Sequence, residues 1–235
     1  MYETNTGITR NLTGREMSFY LIISLILNSM GNGLTVACNL GSAMWTASAA
    51  NLALVTRQDI SFILILYGIL VIGLNIILLG HLEWPRIIGN LLFIGPFGFF
   101  VSLWASWFGR IGVGTLNYGV RLGLDVLGII LLAIAVSIYQ RVNLILHPND
   151  DMTNIIRFKY VHGNPILAQL LNFTFPLTII IIIWIVERKI VAFNIGTLFA
   201  FLCQGAIIGW SDQYIFTYLK HRINTLKQQQ PIHNR

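Results

Sequence analysis

Polar side chains inside apolar stretches are the residues of this chain that could carry chemistry. The first apolar stretch contains Ser24, Asn28, Asn32, Thr35 and Asn39, at steps of three, four and seven residues. These steps place the side chains on one face of a helix. Because a buried amide is costly in hydrocarbon unless it is hydrogen-bonded, this face must contact other helices or a polar cavity. The stripe is therefore either a solute-binding surface or a set of contacts between helices.

An arginine and an aspartate lie four residues apart in a later apolar stretch, at Arg121 and Asp125. This spacing allows the two side chains to pair on one helix face. Ionisable residues inside a membrane span indicate a functional site. The alternatives are a structural clasp, or an Arg121 side chain that extends to the membrane interface. We expect Asp125→Asn to impair function more than assembly.

The stretch from Asn39 to Thr56, NLGSAMWTASAANLALVT, is narrow because small residues dominate it. Other backbones can therefore approach it closely. Its large or polar side chains are those of Trp45, Thr46 and Asn51. We predict a short re-entrant or broken helix inside a membrane bundle, a geometry tolerated only where protein or water surrounds it. Such elements often form transporter substrate sites. A close helix–helix contact is the alternative.

The composition is that of a polytopic membrane protein. The 235 residues are 55% hydrophobic and 10% charged, whereas globular chains carry about 25% charged residues. The net charge of +6 does not indicate nucleic-acid binding, because the basic residues lie at the ends of apolar runs. We therefore expect the lipid bilayer, and no nucleic acid, as the surroundings of this chain.

The chain is predicted to be all-α, with six membrane spans. A tail at 1–16 precedes the first half at 17–108, which includes the re-entrant stretch. A connector at 109–119 leads to the second half at 120–210, and a basic amphipathic tail follows at 211–235. The predicted spans cover residues 17–36, 62–79, 87–108, 120–142, 167–186 and 190–210.

The two halves resemble each other. Cys38-Asn39-Leu40 corresponds to Val142-Asn143-Leu144, and Ile88-Gly89-Asn90 corresponds to Ile195-Gly196-Thr197. Three spans in each half give the halves opposite orientations in the membrane. The sequence therefore predicts two inverted three-helix repeats related by a pseudo-two-fold axis, as in many secondary transporters.

The run from Asn28 to Thr46 resembles the YczE/YyaS/YitT type of bacterial integral membrane protein. In that family each half carries a glycine-rich element that ends in a proline, a large residue and an aspartate. The first half here has Gly41 and Trp45, with Met44 in place of the proline and Thr46 in place of the aspartate. The resemblance covers about residues 17–210 and implies topology more than activity.

The second half keeps Pro148 and Asp150 of that element, with Asn149 between them, and Ile195-Gly196-Thr197 matches a further family element. The resemblance implies a bacterial cell membrane. Ten lysines and arginines fall on the inner side and five on the outer side of the predicted topology. The protein is therefore expected to be multi-pass with both termini in the cytoplasm.

The sequence contains no HExxH helix and no P-loop, so we predict no enzyme, no catalytic residue and no cofactor. His147, Asp150 and Asp151 are too few for a metal signature, and we interpret them as part of a solvated polar loop at 146–164. The candidate solute-binding residues are Asn28, Asn32, Asn39, Trp45, Thr46, Asn51, Arg121, Asp125, Asn149 and Asp150.

The predicted function is a permease for a small solute, with its site between the halves. One alternative is a substrate-binding membrane subunit that works with separate ATPase and coupling subunits, as vitamin-uptake S-components do. Another is a membrane scaffold or accessory protein that does not transport. A homodimer is a further partner arrangement that fits the sequence.

Overall fold

A computed structural model describes residues 2–3, 9–41, 43–58, 60–188 and 193–221. Within these residues the chain forms eight α-helices and two short antiparallel strands, β1 at Tyr2–Glu3 and β2 at Thr9–Arg10. The helices are α1 (Gly14–Cys38), α2 (Met44–Thr56), α3 (Ile60–Leu79), α4 (Trp84–Arg110), α5 (Tyr118–Val142), α6 (Pro148–Ile155), α7 (Pro165–Glu187) and α8 (Ile195–Tyr214).

Six of the described helices, namely α1, α3, α4, α5, α7 and α8, are long and apolar enough to cross a bilayer. Their outward faces carry large apolar side chains, such as those of Ile77 and Val186. Such faces suit hydrocarbon, because all helical backbone groups are bonded internally. The prediction of an all-α, multi-pass membrane chain is therefore confirmed.

The antiparallel pair of α1 and α5 forms the largest interface of the bundle. Glycines allow this approach: a Cβ added to Gly31 would lie 2.6 Å from the carbonyl oxygen of Gly128. Helix α4 packs on the outside of α1, and α8 packs on the outside of α5. Small residues thus bring the two long central helices into backbone contact, as expected in membranes.

The two short helices pack against the other long helices of the bundle. Helix α2 packs mainly on α7, and α6 packs mainly on α3. Each follows a long helix that ends in the same way, because Asn39 after α1 and Asn143 after α5 both adopt the left-handed conformation with φ 51°. Asparagine tolerates this conformation at helix ends.

The stretch at 146–164 is not the predicted solvated loop. It forms α6 and then a π-helical turn at Ile156–Tyr160. His147 caps α6 through Nδ1, which accepts from the Asn149 amide, and Pro148 starts the helix. Most residues of α6 are buried. The stretch is polar in sequence, which suggested a solvated loop. It is buried because neighbouring helices, instead of water, form hydrogen bonds with its polar groups.

Three smaller expectations also change. The re-entrant stretch becomes helical only at Met44, and α4 continues through Pro96 to Arg110 instead of ending near Phe108. Residues 215–221 form turns and extended backbone instead of the predicted amphipathic helix. The remainder of that tail, 222–235, lies outside the described residues, as do residues 190–192 of the predicted sixth span.

Candidate functional site

The side chain of Asn172, buried on α7, joins the first turns of the two short helices. The indole Nε1 of Trp45 on α2 donates to Asn172 Oδ1 at 2.7 Å. Asn172 Nδ2 in turn donates to the carbonyl oxygen of Asn149 on α6 at 2.8 Å. One amide therefore fixes the beginning of α2 relative to the beginning of α6.

A second chain of polar groups connects α6 to the stripe on α1. The Tyr139 hydroxyl donates to the Asp150 carboxylate and accepts from Asn28 Nδ2 at 3.3 Å. Asn32 Nδ2 donates to Asn28 Oδ1 at 2.8 Å. We call these residues the interior cluster: Asn28, Asn32, Trp45, Tyr139, Asn149, Asp150 and Asn172.

Aromatic rings form the apolar wall beside this cluster. Trp45 stacks on Phe175 at 5.6 Å between ring centroids and meets Tyr67 edge-on at 5.7 Å. The Tyr67 hydroxyl is hydrogen-bonded to Ser48 at 2.9 Å. Trp45 is therefore held on both faces, which aims its N–H at Asn172.

The titratable groups at the start of α6 have unusual environments. Burial raises the pKa of Asp150 to about 7; the hydrogen bond from Tyr139 opposes this rise, and the charge of Asp151 adds to it. Burial also lowers the pKa of His147 to about 4. At neutral pH the site therefore contains a neutral imidazole and a carboxyl that is present in both its protonated and its ionised form.

A polar cleft of about 160 Å³ opens beside the first turn of α6. Glu83, Arg86 and Asn90 line one wall, and the segment 143–146 lines the other. Behind this wall, Arg86 Nε lies 3.2 Å from Asp151 Oδ1, and Asn90 Nδ2 donates to Asp151 Oδ2 at 3.0 Å. The cleft thus opens beside the two residues that hold the buried Asp151 carboxylate.

The model of a family of unknown function, DUF6198, matches residues 15–213. The chain belongs to this family. The match covers all six apolar helices except Gly14 at the start of α1 and Tyr214 at the end of α8. This DUF6198 member is therefore a polytopic helical membrane protein. No curated protein and no solved structure matches the chain.

In this DUF6198 member the fold brings five of the ten predicted site residues together: Asn28, Asn32, Trp45, Asn149 and Asp150. The other residues on the first half lie apart from the cluster. Asn39 ends α1, Thr46 is partly exposed on α2, and Asn51 Nδ2 donates to the Ala47 carbonyl of its own helix at 2.8 Å.

The predicted pair of Arg121 and Asp125 is not formed. Arg121 instead donates to the Cys38 carbonyl oxygen through Nε at 2.8 Å and through Nη2 at 2.5 Å, and reaches the Asn39 carbonyl at 3.1 Å. The last carbonyls of a helix lack partners and carry partial negative charge, so they attract a guanidinium. Asp125 lies instead beside Gly196 in the first turn of α8.

Tyr139 and Asn172 of this DUF6198 protein were not predicted from the sequence as site residues. An amide at position 172 inside an apolar span was the available signal for Asn172, because such a group requires a partner. Tyr139 gave no signal, since a tyrosine suits many positions near the end of a span. Both obtain their roles from contacts with helices that are distant in sequence.

A buried ionic cluster around Asp212 was also missed, because Asp212 was assigned to the tail. The Asp212 carboxylate lies 2.6 Å from Arg157 Nη2 and 3.5 Å from Arg141 Nε, and it accepts from Ser137 at 2.6 Å. His221 Nε2 lies 3.1 Å from it. This cluster fixes the end of α8 to α5 and to the π-helical turn.

Proposed function

We propose that this protein is a permease for small polar solutes and that the interior cluster is its solute site. The observation that carries the proposal is the junction at Asn172, where the first turns of two short interior helices meet. Transporter sites are commonly built from such interrupted helices near the middle of the bilayer. The polar groups of the cluster would contact the solute.

The position of Trp45 supports an interior depth. Tyr67, which contacts Trp45, lies about two turns into α3, and Asn172 lies about two turns into α7. Two turns correspond to roughly 10 Å along a helix axis. In a six-span topology α3 and α7 begin on opposite sides, so the junction is about equally far from both. This depth supports the proposal that α2 and α6 are re-entrant helices.

Two inverted halves are the arrangement that best explains the packing. The pairs correspond: α1 with α5, α2 with α6, α3 with α7, and α4 with α8. Helix α2 packs on α7 of the other half, and α6 packs on α3 of the other half. The matching left-handed ends at Asn39 and Asn143 support the same correspondence. The cluster then lies at the interface between the repeats.

The chemistry of the cluster favours a neutral or cationic solute. It presents amides, an indole N–H, a phenol and the Asp150 carboxyl, and it contains no lysine or arginine. Asp151, at the same turn, is paired with Arg86. An anionic solute would face the Asp150 carboxyl, which accepts from Tyr139 but has no cationic partner within the cluster, and this is unfavourable in a low dielectric.

The test is uptake by the purified full chain in proteoliposomes, with a panel of neutral, cationic and anionic small polar solutes. Trp45→Phe and Asn172→Ala are expected to abolish uptake of any transported solute. Trp107→Phe is the matched control, since Trp107 is half-exposed on the outer face of α4. Equal uptake by all three variants would overturn the assignment of the site.

The other predicted roles are separated by the same preparation. ATPase and coupling subunits that co-purify in stoichiometric amounts would make the chain a substrate-binding subunit. If no solute stabilises the protein and no solute is transported into the proteoliposomes, the protein would be a scaffold or accessory protein. The YczE/YyaS/YitT relationship, the bacterial cell membrane, the cytoplasmic termini and a homodimer remain predictions. Labelling of single cysteines at the termini tests the orientation.

A further inference from the structure

Asp125 is a fully buried carboxyl in the second turn of α5. Its relative exposure is 0%. Neither carboxyl oxygen has a hydrogen-bond partner among the residues that the structure describes. Taking an ionised carboxylate out of water without a partner costs far more free energy than any single contact returns. Burial without a hydrogen-bond partner therefore favours the neutral carboxylic acid over a bare carboxylate at this site.

The walls of this site come from three parts of the chain. Gly196 in the first turn of α8 lies against the carboxyl, so closely that a Cβ at this position would collide with Oδ2. The Gly196 amide donates to the Leu40 carbonyl oxygen at 3.0 Å, which places the segment before α2 at the same junction. Thr197 follows on α8, and a Cβ on Gly41 would lie 2.6 Å from its Oγ1.

Few charged or titratable groups face Asp125. From α1 the Cys38 thiol is close enough to interact with it electrostatically. On α5 itself, Arg121 is one turn earlier, but its guanidinium is committed to the carbonyls of Cys38 and Asn39. Helix α8 contributes Gly196 and Thr197, which do not titrate. Among the residues that the structure describes, the carboxyl therefore has no bonded cation.

We propose that the Asp125 carboxyl is a proton-binding site of this protein, occupied by a proton at neutral pH and emptied as the solution becomes alkaline. A proton fits the geometry because it needs no coordination shell. Hard metal cations take about six or more oxygen ligands. Here Gly196 packs directly on the carboxyl, and the Leu40 oxygen is already engaged by an amide.

Release of the proton has a structural consequence. The resulting charge would lie against Gly196 and the Leu40 carbonyl, and a carboxylate and a carbonyl oxygen repel each other. The junction of α8 with the segment before α2 is therefore the contact that the proton stabilises. That segment leads within five residues to Trp45. If the chain is a permease, which is the proposed function above, this path would let the proton influence the solute site.

The proposal can be tested without any transport assay. The full chain in lipid nanodiscs is examined by infrared difference spectroscopy, which detects the carbonyl stretch of a protonated carboxyl group. At neutral pH exposed carboxyls are ionised and give no such band. We expect Asp125→Asn to lose one band per chain. Glu187→Gln, at an exposed end of α7, is the matched control and is expected to lose none. Asp150→Asn identifies any band from Asp150.

A second variant keeps the assignment testable if Asp125→Asn assembles poorly, and thermal unfolding provides a further comparison if it assembles well. Gly196→Ala places a methyl group against the carboxyl, and we expect it to shift the frequency of the Asp125 band. Thermal unfolding should also become easier for the wild type as the solution is made alkaline, and this decline should be smaller in Asp125→Asn, which keeps only the contribution of Asp150 and the other titrating groups. A wild-type band that Asp125→Asn retains would refute proton binding. A band that appears only when sodium is replaced by choline would assign the site to a metal cation instead.

Discussion

Replacement of Asp150 by asparagine is expected to change how the stability of the protein depends on pH. Burial raises the pKa of this carboxyl from its ordinary value of 3.8 to about 7. The folded chain therefore binds the Asp150 proton more tightly than the unfolded chain does. The stability that this proton contributes is complete below about pH 4 and is lost as the pH rises to about 7.

The size of the effect follows from the shift in pKa. One pKa unit corresponds to about 1.4 kcal/mol. A shift from 3.8 to about 7 therefore allows a loss of at most about 4 kcal/mol across this range. Asp150→Asn has no proton to lose at this position. Between the same pH values its free energy of unfolding should therefore fall less than that of the wild type, and the difference should equal the loss given above. Other carboxyls titrate equally in both proteins and cancel in the comparison.

Unfolding in mixed micelles, followed by tryptophan fluorescence at several pH values, measures this difference. Tyr139→Phe provides a second variant: because its hydrogen bond lowers the Asp150 pKa, the loss of stability should move to higher pH. Glu187→Gln, exposed at the end of α7, should follow the wild type. Parallel curves for the wild type and Asp150→Asn would show that Asp150 is not held in the buried environment described above.

Three further substitutions test the packing. Gly31→Ala adds a Cβ 2.6 Å from the Gly128 carbonyl oxygen, and overpacking of this kind costs about 1–3 kcal/mol; Gly73→Ala, with open space at its Cβ, is the control in thermal unfolding. Asp212→Asn leaves two buried arginines without their carboxylate and should cost about 3–5 kcal/mol, measured by the same unfolding assay; wild-type stability would contradict the ionic cluster. Arg121→Met removes the charged hydrogen bonds to the end of α1 and should cost about 1.5–3 kcal/mol, while an unchanged midpoint would mean that water satisfies those carbonyls equally well.

Several features of the fold could be predicted from the sequence because their causes are local. A bilayer requires roughly 20 apolar residues for each spanning helix, so hydropathy alone identified six apolar helices. The short narrow helix after α1 follows from the small residues of the stretch 39–56. The contact between Asn28 and Asn32 was also predictable, because residues four apart on a helix are always neighbours.

The partners of these elements depended on tertiary structure. Trp45 and Asn172 are 127 residues apart in the chain, and Asn28 and Tyr139 are 111 residues apart. Arg121 had two chemically reasonable partners, the carboxylate one turn away and the end of α1. The packing of α1 on α5 decided between them. Helix α6 was missed because its polar residues read as a solvated loop, and only their bonds to α4, α5 and α7 explain their burial.

The sequence by itself therefore determined the membrane class, the spans and the polar stripe on α1, since hydropathy and helical periodicity are properties of neighbouring residues. Tertiary structure alone decided which polar groups meet, which carboxyl has a cationic partner and which has none. The physical reason is that a buried polar group takes its partner from whichever helix packs against it. Asp151 obtained Arg86 in this way, whereas Asp125 lies against Gly196 and has no hydrogen-bond partner among the described residues.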